Sequence, residues 1–295
     1  MDACTLCPRM CGVNRAAGEK GYCGMDATIR AARAALHMWE EPCISGTQGS
    51  GAVFFSGCSL RCIFCQNFEI AEGNCAKEIS GERLSEIFME LQEQRAANIN
   101  LVTAAHYVPA VIESLKKAKA QGMDLPVIYN SSGYERVETV QMLEEVVDVW
   151  LPDFKYMDSK LAFAYSRAKD YPEVARAAIR EMMKAAGTCA YDEDGYIQKG
   201  VIVRHLILPG HTKNSIAVLD ELYGTYGDDL IISLMNQYTP LPQVRNIPDL
   251  NRRVTKREYE KVLDHALDLG ITQGFFQEGG TAKESFIPLF DYEGL

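Results

Sequence analysis

The chain has 295 residues, 47% hydrophobic and 24% charged, with 23 Gly and 11 Pro, which excludes a disordered tail and leaves enough chain for one large α/β domain or two smaller ones. Subtracting 40 acidic from 30 basic side chains gives a formal charge of −10, which opposes long-range attraction to nucleic acid and to anionic lipid. No run of eighteen apolar residues occurs, and Met1-Asp2-Ala3-Cys4-Thr5-Leu6-Cys7 has neither the basic nor the apolar region of a signal peptide, so the expectation is a soluble, cytoplasmic protein with no membrane or nucleic-acid partner.

Residues 1–45 are cysteine- and glycine-rich, with one stretch of helical character around Ala27 to Met38, and read as an appended metal-stapled module. From residue 46 to 295 short apolar runs alternate with longer stretches of helical period, the pattern of βα units around parallel strands. In chain order the predicted strands are Ala52 to Ser56, Ile99 to Thr103, Pro126 to Asn130, Val147 to Asp153, Val201 to Leu208 and Leu230 to Leu234. The predicted helices are Glu82 to Ala97, Val108 to Ala120, Val137 to Val147, Tyr171 to Ala186, Ser215 to Tyr223 and Lys256 to Leu269. Right-handed crossovers curl such a sheet, and six units fall short of the eight that close a barrel. The fold expected is α/β: a partial (β/α)6 barrel with an N-terminal cysteine-rich metal-binding extension, ligands gathering at the carboxyl ends of the strands.

Nine of the ten cysteines precede residue 76, a clustering that points to metal rather than to disulfides. The sharpest motif is Phe55-Ser-Gly-Cys58-Ser-Leu-Arg-Cys62-Ile-Phe64-Cys65-Gln-Asn67, at the carboxyl end of the first strand predicted in the barrel. Three thiolates at this spacing can hold three irons of a [4Fe-4S] cluster and leave the fourth without a protein ligand. An open iron can bind the amino and carboxylate groups of S-adenosylmethionine (SAM), and one electron can then break the bond from sulfur to C5′. Four-cysteine zinc sites use other spacings.

In this motif, with the aromatic Phe64 just before the third cysteine, the chain resembles the radical SAM superfamily. Within it the likeness is to the pyruvate formate-lyase activating enzyme group, and to homologues with an N-terminal cysteine module. The resemblance implies reductive cleavage of SAM to a 5′-deoxyadenosyl radical, a glycyl radical enzyme as substrate, and an electron donor such as flavodoxin or ferredoxin. It also implies SAM contacts at strand ends. Asn130-Ser131-Ser-Gly133-Tyr134 resembles the family's segment after the third strand, where polar side chains approach SAM or a monovalent cation. Leu151-Pro-Asp153-Phe-Lys155 resembles an Asp-x-Lys segment, with Asp153 for SAM or the cation and Lys155 for carboxylate charge. Arg204 stands where the family has an arginine whose planar fork suits the methionine carboxylate.

Two departures concern the substrate. Where the family usually has Gly-Gly-Glu for the SAM amine, this chain has Thr103-Ala-Ala105-His106, and a neutral imidazole cannot copy a carboxylate. Gln237, in Met235-Asn-Gln237-Tyr238, stands where the activating enzyme has a histidine near SAM. Other readings are therefore a radical SAM enzyme acting on another peptide, protein or small molecule, and a non-catalytic iron–sulfur or zinc-stabilised binding protein. Cys4-x2-Cys7-x3-Cys11-x11-Cys23 supplies four further thiolates, enough for tetrahedral zinc or for an auxiliary iron–sulfur cluster, and spacing alone does not choose. Cys43, Cys75 and Cys189 read as small buried hydrophobes.

Overall fold

A computed structural model describes residues 3–277 and 288–295. Seven parallel strands form its centre: β2 (Ser50–Phe55), β4 (Ile99–Val102), β5 (Val127–Ser131), β6 (Val149–Pro152), β8 (Ile197–Leu206), β9 (Ile231–Met235) and β10 (Gly274–Phe276). They lie in that order, and β2 continues to the antiparallel pair β1 (Arg30–His37) and β3 (Lys77–Glu78), while β7 (Ala190–Tyr191) pairs with β8. Every residue of β2, β4 and β6 is buried, as strands covered on both faces must be, which explains their near-continuous apolar sequence.

The crossovers carry α3 (Gly81–Glu93), α4 (Val108–Ala120), α5 (Val137–Leu143), α6 (Ser159–Ser166) followed by α7 (Tyr171–Ala186), α8 (Thr212–Tyr226) and α9 (Lys256–Asp268); two short turns, α1 (Pro42–Ser45) and α2 (Phe68–Ala71), flank β2. In α7 the buried Ala175, Ala178, Ile179, Met182 and Ala186 repeat at three and four residues and lie on one face. The side chain of Ser80 caps α3 by accepting from Arg83 N at 3.0 Å, and Thr255 with Glu258 forms a reciprocal capping box on α9. The expected partial (β/α)6 barrel is present, extended by the short seventh parallel strand β10.

One expectation is corrected. The alanine-rich stretch within Ala27 to Met38 is not helical but forms β1, paired antiparallel to β2 from Ala31↔Phe55 to His37↔Ser50. Alanine favours helix by propensity, yet its small side chain also permits close packing, and tertiary pairing decides. Ala31, Ala32, Ala34 and Ala35 are buried, and the C-terminal segment lies against them, with Ala34 N donating to Glu293 O at 2.9 Å and Tyr292 N to Ala32 O at 3.1 Å. Gly294 (φ +77) fits there because a Cβ would meet Ala34 O at 2.0 Å. The sheet therefore runs across the boundary expected near residue 45, and residues 3–29 are the part of the extension outside it.

Candidate active site

A cavity of about 670 Å3 opens at the carboxyl ends of the parallel strands. Cys58, Cys62 and Cys65 line it together with Phe64, Asn130, Ser131, Asp153, Lys155, Arg204 and Gln237, so residues far apart in sequence meet on one surface.

The cysteine loop leaves β2 through Gly57 (φ +91), where a Cβ would lie 2.4 Å from Met25 and 2.9 Å from Cys23 O. Arg61 adopts φ +52, turning the chain between Cys58 and Cys62. Cys58 Sγ accepts from Leu60 N at 3.4 Å and Arg61 N at 3.5 Å, and Cys62 Sγ accepts from Ser166 Oγ at 3.1 Å. Donors aimed at sulfur suit thiolate ligands and tune a bound cluster. Burial pushes the Cys62 and Cys65 thiols up while Lys155 pulls both down, and a bound metal would favour their thiolate forms. Phe64 is buried, its ring within 6.3–6.5 Å of the rings of Tyr156, Tyr165 and Tyr238, which fixes the loop to the barrel. The three thiols thus fit a cluster bound through three irons.

Lys155 Nζ donates to Asp153 Oδ2 at 2.6 Å. Burial opposes charge on Lys155, but Asp153 and the neighbouring thiols hold its pKa above the ordinary lysine value. Its ammonium stands beside the carboxylate that the resemblance offered to a monovalent cation. Behind the pair, the Tyr171 hydroxyl lies 2.9 Å from Lys155 N, 2.9 Å from Ser132 O and 3.0 Å from Asp153 O, locking the ends of β5 and β6 together. Ser131 Oγ accepts from Gly133 N at 3.2 Å, and Gln237 O accepts from Gln66 Nε2 at 3.1 Å.

Arg204 lines the cavity, but its guanidinium is already filled. Nε donates to Glu41 Oε1 at 2.8 Å, and Nη2 donates to Glu41 Oε2 at 2.5 Å and to Glu40 Oε2. Both glutamates also line the cavity, and Glu40 accepts from Asn100 Nδ2 at 2.9 Å. At this place the cavity wall therefore offers a cluster with one more negative than positive charge, not the free cation expected from the sequence. Glu40 and Glu41 reach the barrel from the segment following β1, and no motif in that segment singles them out.

The two departures separate in space. Thr103 lines the cavity at φ +62, a conformation that costs a β-branched residue on the order of 1–3 kcal/mol. His106 points elsewhere: it is buried, its Nε2 lies 2.7 Å from Ser56 O, its backbone carbonyl accepts from Arg15, and burial pushes its pKa down to about 3. It is a neutral clamp on the end of β2.

Outside the cavity, Cys4, Cys7, Cys11 and Cys23 come together. Cys4 N donates to Val13 O and Gly12 N to Cys4 O, both at 3.0 Å. Gly21 sits between two of the thiols, since a Cβ there would lie 2.8 Å from Cys11 Sγ and 3.8 Å from Cys23 Sγ. Burial pushes the Cys7 thiol up to about 12, with Cys23 and Cys4 adding to the rise. Among the described residues no three Cys, His, Asp or Glu side chains are grouped to hold a single metal ion.

Residues 45–168 match a family described as a 4Fe-4S single cluster domain. An uncharacterized protein of Methanocaldococcus jannaschii is 29% identical over 269 residues, 89% of this chain and 74% of its own length. Among solved structures, HydG, a maturase of the [FeFe]-hydrogenase, is similar at TM-score 0.53 and 14% identity over 77% of this chain and 51% of its own, so the chain spans about half of HydG. A domain of pyruvate-formate lyase-activating enzyme from Bacteroides vulgatus matches 58% of the chain and 92% of its own length at 17% identity, with a TM-score of 0.41. The chain thus shares its α/β partial-barrel fold with HydG, and the segment that matches the 4Fe-4S single cluster domain family, residues 45–168, includes Cys58, Cys62 and Cys65.

Proposed function

We propose that this chain is a radical SAM enzyme of the glycyl radical enzyme activating type, working with a cluster held by Cys58, Cys62 and Cys65. The observation that carries the reading is the convergence of these thiols with Asn130, Ser131, Asp153, Lys155 and Gln237 on one cavity. A cluster bound there would supply one electron to the sulfonium of SAM and so a 5′-deoxyadenosyl radical.

The chain's own residues bind and orient. The left-handed turn at Thr103 brings backbone to the cavity wall where an amine needs an acceptor. The Asp153–Lys155 pair presents both signs of charge to a zwitterion, and the Glu40–Glu41–Arg204 cluster adds negative charge that suits a sulfonium. Phe64 and its three tyrosines keep the loop rigid, so the reacting atoms are held rather than found by collision.

The substrate would be a glycine on a partner protein inserted as a loop at the strand ends, with a flavodoxin or ferredoxin as electron source. Mixing reduced protein, SAM and the glycyl radical enzymes of the same cell should give the glycyl doublet in electron paramagnetic resonance. SAM cleavage without that doublet from any candidate would shift the reading to another peptide, protein or small molecule. The acidic cluster around Arg204 favours that second reading, because it could select a cationic substrate.

A further inference from the structure

The four cysteines outside the cavity sit among three arginines with no acidic partner, of which Arg15 is buried and Arg9 and Arg61 are half-buried. Arg15 is 4% exposed; its guanidinium donates to the carbonyls of His106 and Asp26, and its Nε has no partner. Arg9 donates to the carbonyls of Ser59 at 2.9 Å, Arg167 at 2.6 Å and Ser166 at 2.9 Å, and lies 4.0 Å from the centre of the Tyr22 ring. Arg61 lies 5.7 Å from the same ring, with a buried Nε that also lacks a partner. Among the described residues none of the three makes an ion pair with a carboxylate. Backbone dipoles and ring faces offset part of the cost of burying these charges, but a guanidinium out of water calls for an anion. Four thiolates around a metal centre provide one.

Four thiolates can close either a zinc ion or an iron–sulfur cluster. Zinc has no redox chemistry, so contact between this quartet and the loop of the cavity cysteines favours the cluster, which can pass electrons.

The site also abuts the catalytic loop. Cys23 O packs against Gly57, the residue before Cys58, Arg9 holds the carbonyl of Ser59, and Gly24 lies against the Arg61 guanidinium. Cys11 is exposed, so one edge of the quartet faces the surface while the opposite edge touches the loop of the cavity cysteines.

We propose that Cys4, Cys7, Cys11 and Cys23 hold a second, closed [4Fe-4S] centre that relays single electrons to the cavity. One electron leaves a low-potential flavin or iron–sulfur donor protein, reduces this centre and passes on to the cavity cluster. No bond forms or breaks at the quartet, since every iron already has a protein ligand. The relay rests on the cavity cluster proposed above; the existence of the second centre does not.

The unmodified chain, reconstituted anaerobically, should hold about eight irons and eight sulfides, and the Cys58, Cys62, Cys65 triple alanine variant about four of each, with a paramagnetic signal on one-electron reduction by dithionite. Zinc in place of iron at the quartet, or neither metal, overturns the proposal. In the triple variant, Arg15→Gln removes a cation that favours the reduced centre and should lower its midpoint potential; an unchanged potential refutes the charge-balancing role. For the relay, Cys11→Ala should slow reduction of the cavity cluster by flavodoxin at least tenfold without changing SAM affinity, and an unchanged rate overturns it. A chain that keeps quartet iron but never cleaves SAM would instead refute the proposed function and leave the second centre standing.

Discussion

Replacing Glu41 by alanine removes one of two carboxylates from a guanidinium with 12% side-chain exposure, from a position itself 6% exposed. Breaking a buried ion pair from one side costs about 3–5 kcal/mol, because the remaining charge is left uncompensated. Glu40 stays on Arg204 Nη2, which places the expected loss near the lower end, about 3 kcal/mol. For a chain of this size that corresponds to a fall in Tm of roughly 6–12 °C. Urea denaturation of the metal-free protein gives the value directly, with Arg204→Met and the double variant completing a cycle. The double variant should be less stable than Glu41→Ala, since removing Arg204 also leaves the buried Glu40 carboxylate without its cation. A loss below about 1 kcal/mol for Glu41→Ala, or a double variant as stable as Glu41→Ala, would show that the ion-paired cluster described here does not hold.

Three further outcomes follow from the site. His106 and His205 are buried and neutral, burial pushing their pKa values down to about 3 and about 4. Below the unfolded value near 6.5 only the unfolded chain takes up these protons, so stability is full above that pH and falls as pH drops. His205→Gln should reduce the slope between pH 6.5 and 4.5 by about one proton, ~1.4 kcal/mol per pH unit, and an unchanged slope in urea titrations would refute the assignment. Gly133 has φ +71, and a Cβ there would lie 2.1 Å from Asp153 O; Gly133→Ala should cost about 2–4 kcal/mol and displace the Asp153 segment, visible as a lower thermal midpoint and weaker SAM binding. Asp153→Asn should weaken SAM binding roughly ten- to a hundredfold by equilibrium dialysis, the scale of one charged contact, and parent-like affinity would remove Asp153 from the site.

Much of this architecture is legible in sequence because the buried parallel strands are short apolar runs and their helices keep a clean period. The bounds of α4 and α7 coincide with those read from periodicity. Local reasoning failed where a tertiary partner decided the outcome. The Ala-Ala repeats of β1 have no strand signal of their own and become a strand through β2 and the C-terminal segment. β10 has only three residues, too few for a period to show, and exists by pairing with β9. The cavity cysteines were readable because cluster chemistry fixes their spacing along the chain, whereas Glu40 and Glu41 reach Arg204 across 164 and 163 residues, a separation that no local pattern encodes. Arg9, Arg15 and Arg61 likewise stand apart from other arginines only once the burial of Arg15, and the lack of a carboxylate partner for all three among the described residues, are known.

The central claim is that Cys58, Cys62 and Cys65 carry the reactive cluster. Its most direct test is the yield of 5′-deoxyadenosine, by chromatography, from anaerobically reconstituted protein given SAM and a one-electron reductant. The parent chain should form 5′-deoxyadenosine and the Cys62→Ala variant should form none while keeping the iron bound at the N-terminal quartet. Full cleavage by Cys62→Ala, or no cleavage by a parent chain whose cavity cluster is filled and reduced, would contradict the account.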